Sequence, residues 1–347
     1  MQEKVFCVHE PKAHNFISFI FIFICASSNW WSLCLSISEF GELTPYGCIR
    51  REVITNYDYD PTQALVNPAS INPAMDNQLS VNFVNYIGDV TYGSAAYAYQ
   101  WDRRTQVFHA GVTYVNYGKF DGYDEQGNET NSFTGGEVAI SLGHARNIAF
   151  TNIHIGGNVK FISSTLEQYS SFGIALDLGV MYVYEDWDLH ISGVGRNIGT
   201  QIAPYDDIYE PLPFELIFGI SQTLQHIPIR WHLTFDNMQV WNVAFSNPNL
   251  ETEDLEGNVT EEKINFIDNA FRHTIIGIEL FPEKGFNIRL GYNFRRGEEL
   301  RIAEKRTFAG ISAGFSIKLN NLRLSYSYSK FSLAATSSYF GLNFNLQ

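Results

Sequence analysis

From Gln78 to the end of the chain, apolar and polar side chains take turns. In "GFNIRLGYNFRRG", Phe286, Ile288, Leu290, Tyr292 and Phe294 share one phase, and Asn287, Arg289, Gly291, Asn293 and Arg295 share the other. "IPIRWHLTFD" sets Ile227, Ile229, Trp231, Leu233 and Phe235 against Arg230, His232, Thr234 and Asp236. "NLRLSYSYSK" sets Leu322, Leu324, Tyr326 and Tyr328 against Arg323, Ser325, Ser327 and Ser329. Successive Cβ atoms leave a pleated strand on opposite sides, so a period of two marks strands with one apolar and one polar face. The pattern predicts fourteen strands, at 78–86, 91–101, 105–116, 133–144, 149–163, 169–184, 187–197, 212–223, 227–238, 271–281, 285–296, 307–319, 321–331 and 337–347. Most reach the ~9–11 residues of a barrel strand crossing a bilayer, where a globular strand usually stops at ~5–6.

The connections alternate in length. "DRRT", "ED", "PEKG" and "NN" mark tight turns, whereas "YGKFDGYDEQGNETNS", "IGTQIAPYDDIYEPLP" and the stretch from Gln239 to Ala270 are long. Tight turns on one side and large loops on the other are the pattern of an outer-membrane barrel. The expected fold is therefore all-β, a 14-stranded antiparallel transmembrane β-barrel over residues 78–347 with a short N-terminal hatch. A soluble sandwich would turn the same apolar faces inward; strand length and loop asymmetry favour the barrel. Closure also removes the exposed sheet edges.

Two Asn-Pro-Ala turns stand in front of the first strand, Asn67-Pro68-Ala69 and Asn72-Pro73-Ala74. Proline fixes φ and biases the residue before it away from the helical region, so residues 59–77 read as a stiff hatch or lead-in segment. The plainer alternative is an ordinary linker. Further upstream, Lys4 and Lys12 precede "FISFIFIFICA", an apolar run too short for a spanning helix and the right length for a secretory h-region. Residues 1–28 are thus read as signal-like and exported, and 29–58 carry no assignable pattern.

Composition narrows the function classes. The net charge of −14 argues against nucleic acid as a partner, since phosphate binding needs clustered Lys and Arg. A mean hydropathy just below zero excludes a polytopic helical membrane protein. Cys7, Cys25, Cys34 and Cys48 all fall in the head with no CxxC spacing, which speaks against a zinc or dithiol site.

Candidate chemistry lies on the polar phase and in the loops. Glu137, Lys160, Asp177, Glu215, Arg230, Asp236, Glu279, Arg289 and Arg323 all face the expected lumen. They either line a selective pore or pair across the lumen and fill it; mixed signs and the cost of unpaired buried charge favour pairing. His109, His154, His190, His232 and His273 share that phase but spread over five strands, which favours hydrogen-bonded lumen histidines over a metal site. "GVGRNIG" follows a strand but opens no helix, and reads as a strand end turning into a loop. The outer connections offer Asp121, Tyr123, Tyr205, Asp206, Asp207, Tyr209, Asp254 and Glu256 as a docking surface, since aromatics are enriched at interfaces. Ca²⁺-loop ligand spacing is missing there. No catalytic constellation and no cofactor motif is found, so no enzyme is expected.

Several blocks carry a resemblance. "VNPA" with "LSVNFVNYIGDVTYGSAAYAY", "NVKFISSTLEQYSSFGIALDLG", "EPLPFELIFGIS", "FRHTIIGIEL" and "NIRLGYNFRR" resemble the PorQ family, outer-membrane proteins of the type IX secretion system related to PorV and the FadL-like barrels. The resemblance runs from Asp60 to the end. It implies that the Asn-Pro-Ala segment belongs to a hatch inside the barrel, and that the chain is a non-enzymatic scaffold set in outer-membrane lipid. By the same resemblance the scaffold holds a PorZ-like surface protein within the PorV/PorU-type attachment complex, which transfers secreted cargo to lipopolysaccharide. The family's "LPxSARxAALGG" motif is missing from this chain. The rival expectations are a FadL-like transporter of hydrophobic small molecules and a general porin.

Overall fold

A computed structural model describes residues 53–55, 58–86, 88, 90–102, 106–124, 126–205, 209–244, 252–253, 259–260, 264–282, 284–299, 308–331 and 336–346. Its strands in chain order are β1 Gln78–Asn85, β2 Thr91–Asp102, β3 Gln106–Phe120, β4 Phe133–Asn147, β5 Ile153–Leu166, β6 Tyr169–Tyr184, β7 Leu189–Ala203 and β8 Glu215–Thr223. They continue as β9 Ile229–Phe235, the small β10 Thr252–Glu253 and β11 Val259–Thr260, then β12 Thr274–Leu280, β13 Phe286–Asn293, β14 Ile311–Leu319, β15 Leu322–Lys330 and β16 Thr336–Asn345. All but β10 and β11, which pair with each other, form one closed barrel of 14 antiparallel strands. The ring is closed by β1 against β16, from Gln78 opposite Asn345 to Asn85 opposite Ser338.

The two phases face as a membrane barrel requires. Val81, Phe83, Ile140, Leu142, Leu178 and Leu290 point outward and are exposed, while Ser80, Asn82, Ser141, Asp177 and Arg289 point inward and are buried. Apolar side chains on the outside and polar ones inside suit hydrocarbon as the outer solvent. No helix among the described residues is long and apolar enough to cross a membrane. The chain is an integral barrel of the outer-membrane type.

The strand positions differ from the sequence reading at several ends, as where β4 runs to Asn147 and β5 begins only at Ile153. Strands β3 and β7 run on past the expected stops to Phe120 and Ala203, so "GVGRNIG" lies within β7 and does not leave it. Residues 271 and 272, read as strand, instead finish helix α1, Phe266–Arg272, with His273 as its C-cap and a reciprocal capping box of Asn265 and Asp268 at its start. After β13 the chain turns into helix α2, Phe294–Glu299, although Phe294 still keeps the alternating phase. The outer connection between β5 and β6 is also a tight turn, with Glu167 at φ 57.

Candidate functional site

The N-terminal segment enters the lumen, and its sequence explains its shape. Asp60-Pro61, Asn67-Pro68 and Asn72-Pro73 each open a single 3-10 turn, at Pro61–Leu65, Pro68–Ser70 and Pro73–Met75. In each, the Asp or Asn is extended, as a residue before proline prefers, and its side-chain oxygen accepts the N–H two residues on, from Thr62, Ala69 and Ala74. The two Asn-Pro-Ala turns are not equivalent. Asn67, Pro68 and Ala69 are buried deep in the lumen, whereas Pro73 and Ala74 are exposed at the turn end of the barrel.

Asn67 is the hub of this plug. Its amide nitrogen donates to the Ile54 carbonyl at 2.6 Å and to Ser192 Oγ of β7 at 2.8 Å. Asn158 of β5 donates to the Ala64 carbonyl at 2.6 Å, and Asn343 of β16 donates to the Tyr59 carbonyl at 3.1 Å. Polar lumen side chains thus satisfy the backbone of the irregular segment, which buried backbone demands. The wall makes room with glycine. A Cβ on Gly156 of β5 would lie 2.3 Å from the Pro68 carbonyl oxygen, and one on Gly179 of β6 would lie 2.4 Å from Asn67 Oδ1. Small apolar contacts complete the seat, with Ala69 against Met181 and Val183, and Ile54 and Val66 against Val194 and Ile217.

The plug reaches further upstream than the sequence reading placed it. Val53, Ile54 and Thr55 are buried, and the Thr55 carbonyl meets His190 Nδ1 at 3.1 Å. Asp58 pairs with Arg230 at 3.1 Å. Nothing in the composition of that stretch marks it, because its fit depends on wall residues more than a hundred positions away.

The charged lumen residues come together in groups. Glu279 of β12 accepts from Arg289 Nε at 2.9 Å and lies 3.5 Å from Arg230, which also donates to Thr223 Oγ1 at 3.0 Å. Asp58 joins this network from the plug, so it ties plug to wall. On the neighbouring strands β5 and β6, Lys160 pairs with Asp177 at 2.8 Å, and Lys160 donates to Asn197 of β7 at 3.0 Å. The Asn197 N–H in turn reaches Asp177 Oδ1 at 2.9 Å, across a bulge where β6 and β7 lose register. Glu215 pairs with Arg196, Glu137 accepts from the Tyr117 hydroxyl at 2.8 Å, and Asp236 pairs with Arg295 at 3.4 Å. Arg323 lines a cleft of about 120 Å³ at the turn end, beside Lys318, Tyr59 and Asp60. Pairs of opposite sign inside a low-dielectric lumen hold the groups that burial would otherwise penalise.

The outer half of the lumen is different in kind. Val84, Tyr92, Val115, Ala139, Ile162, Ala175 and Tyr339 form a buried apolar layer there, with Tyr86 and Tyr117 packed against it. The Tyr86 ring meets Phe331 edge-on at 5.3 Å, and Arg296 sits 4.7 Å over the Phe331 ring. Sequence reasoning missed this layer, since the inward phase reads as polar along most of each strand.

His109, His154, His190, His232 and His273 are all buried. His190 faces Asp188, His232 lies 3.9 Å from Glu279, and His273 bonds the carbonyls of Asp236 and Trp241. Among the described residues no three potential ligands gather as a metal site. In the loops, Asp121, Tyr123 and Tyr209 are exposed, and the Tyr205 hydroxyl bonds Ser164. Asp206, Asp207, Asp254 and Glu256 lie outside the described residues.

No family model and no curated protein matches the chain. Solved structures of outer-membrane barrels do. A deltaS2 mutant of the TodX monoaromatic hydrocarbon channel is 12% identical over 87% of this chain and 97% of its own, with a TM-score of 0.48. A FadL homologue from Pseudomonas aeruginosa is 10% identical over 88% of this chain and 98% of its own, with a TM-score of 0.45. Identity this low transfers no substrate and no partner to this chain.

Proposed function

We propose that this chain is a non-enzymatic scaffold of the outer membrane, a closed barrel whose product is a surface rather than a passage. The observation that carries this reading is the plug. It is bonded to β5, β7 and β16 through Asn158, Ser192 and Asn343, and is tied by Asp58 to the Arg230–Glu279–Arg289 network. A lumen occupied by bonded backbone and paired charge suits an anchor better than a porin. Together with the sequence resemblance, this supports placement in the attachment complex of type IX secretion, holding a PorZ-like surface protein. The chain would arrive by export through its signal-like head.

The test is purification of the tagged chain from outer membranes in mild detergent, with mass spectrometry of what accompanies it. The reading predicts a surface protein of PorZ type that is lost when residues 245–263, which include Asp254 and Glu256, are deleted. A barrel that emerges alone refutes it.

A second reading, a transporter of hydrophobic small molecules, has one observation in its favour. The outer half of the lumen carries the apolar Tyr92–Val115–Tyr339 layer, which is packed on itself and would have to part to take an apolar guest. A barrel purified with bound lipid or hydrocarbon in place of a protein partner would put this reading first.

A further inference from the structure

The barrel wall is not of even height. Strands β3, β4 and β6 have 15, 15 and 16 residues, whereas β9 and β12 have 7 each and β13 has 8. At ~3.4 Å per residue and a tilt of ~40°, seven residues rise ~18 Å, short of the ~25 Å apolar band of a transmembrane barrel. The low sector is the one topped by α1 and α2, and a helix lying flat is ~10 Å thick.

Those helices carry the apolar band upward. Tyr292 lies on the outer face of β13, paired with the exposed Ile276 of β12. Its ring meets Phe294 of α2 edge-on at 5.0 Å, and Phe294 meets Phe271 of α1 at 5.3 Å. The outward aromatic face of the sheet therefore runs without a break onto the helices. At ~100° per residue, Phe266, Ala270, Ile267 and Phe271 occupy one arc of about 140° on α1. Phe266, Ile267 and Phe271 are exposed, as is Val240, which adjoins Trp241 in the chain. The opposite arc is polar and faces the mouth of the barrel: Asn269, Arg272 and the adjoining His273 are buried, and Arg272 pairs with Glu299 of α2 at 3.7 Å. Trp241 bridges the two sides, stacked on Phe266 at 4.9 Å and on His273 at 5.3 Å.

We infer that α1 and α2, with Val240 and Trp241, are a lipid-contacting extension of the wall, lying in the acyl-chain and headgroup boundary of the outer leaflet. The occupant of the exposed face is lipid, because that face continues the lipid-facing band of β12 and β13. An amphipathic helix with aromatic residues on its apolar side suits that boundary. The inference stands on the barrel itself and is independent of which reading of the lumen holds.

The test uses the full chain with Cys7→Ser, Cys25→Ser, Cys34→Ser and Cys48→Ser, reconstituted into phosphatidylcholine vesicles. A nitroxide is attached in turn through Ile267→Cys, Leu290→Cys on the mid-wall and Gln126→Cys in an exposed loop, and its relaxation by oxygen and by a nickel chelate is compared. The expected oxygen-to-nickel ratio at 267 is several-fold above that at 126 and close to that at 290. A ratio at 267 equal to that at 126 would place the face in water and overturn the inference. Low access to both reagents would mean the face is covered by protein, and would overturn it too. Val240→Cys serves as a second reporter should the 267 variant fail to fold.

Discussion

Substituting Gly156 by alanine tests the seating of the plug without touching a plug residue. The added Cβ would lie 2.3 Å from the Pro68 carbonyl oxygen, 2.4 Å from its carbon and 2.7 Å from the Ala69 nitrogen. All three are backbone atoms of a short turn, so no side chain can swing aside. The wall has no freedom either, because Gly156 is held in register with Ala145 on one side and Gly179 on the other. Ordinary carbon contacts sit at ~3.5–4.0 Å, so the turn must lift by about 1 Å. That lift strains the bonds from Asn67 to Ser192 at 2.8 Å and to Ile54 at 2.6 Å. Overpacking costs ~1–3 kcal/mol and each weakened hydrogen bond up to ~1 kcal/mol. A net loss of ~2 kcal/mol shifts the opening of the plug about 30-fold. The neighbouring Gly157 is the control, since its Cβ would meet nothing nearer than 3.5 Å. Hydrogen exchange of the Ala69 and Ser70 amides reads the outcome: about 30-fold faster in Gly156→Ala and unchanged in Gly157→Ala. Unchanged exchange in both variants, or equal acceleration in both, would refute the seating.

Asn67→Ala should release the same amides, since it removes the turn cap and two buried bonds worth together ~2–3 kcal/mol, and exchange at Ala69 and Ser70 should be faster than in the parent chain. Glu279→Ala leaves Arg230 and Arg289 without their shared carboxylate and should cost ~3–5 kcal/mol, read as loss of the folded band in unheated detergent gels. Asp188, in the turn before β7, is held down to about 2, chiefly by its hydrogen bond with His190. A depressed carboxylate contributes stability above its ordinary range near pH ~4 that is lost as pH falls through the folded value. Asp188→Asn should therefore weaken the folded band at neutral pH, with the difference from the parent chain fading between pH ~4 and ~2. Asp124 is lowered first by its side-chain bond from Asn128, so Asn128→Ala should return its titration toward the ordinary carboxylate range, as followed by carboxyl NMR shifts.

The barrel was legible because its signal is local and repeated. Every strand of the ring overlaps an alternating segment, and the inward phase of Glu137, Asp177, Glu279 and Arg289 is the one the period assigns. The hatch turns were legible for a similar reason: Asn-Pro dictates an extended residue followed by a fixed φ, and Asn67 and Asn72 show it. Asp60-Pro61 carries the same signal and forms the third turn, though the alanine of the repeat is replaced by threonine. What stayed hidden depends on long-range fit. Gly156 and Gly179 look like any strand glycine until Pro68 and Asn67 arrive against them. Helix α1 was masked because His273 and Thr274 continue an alternating run, and the capping box of Asn265 and Asp268 is a weaker mark than the period it interrupts. The residues proposed for docking follow no periodicity at all, since Asp121, Tyr123 and Tyr209 sit exposed in loops where neither face of a strand is buried.

Planar-bilayer conductance of the full chain tests most directly whether this barrel is sealed. The plug bonded through Asn67 and Asp58, and the paired lumen charges, predict a protein that inserts and stays silent, while a variant lacking residues 53–77 conducts. Steady ion conductance by the intact chain, at the level of the plug-less variant, would contradict the account.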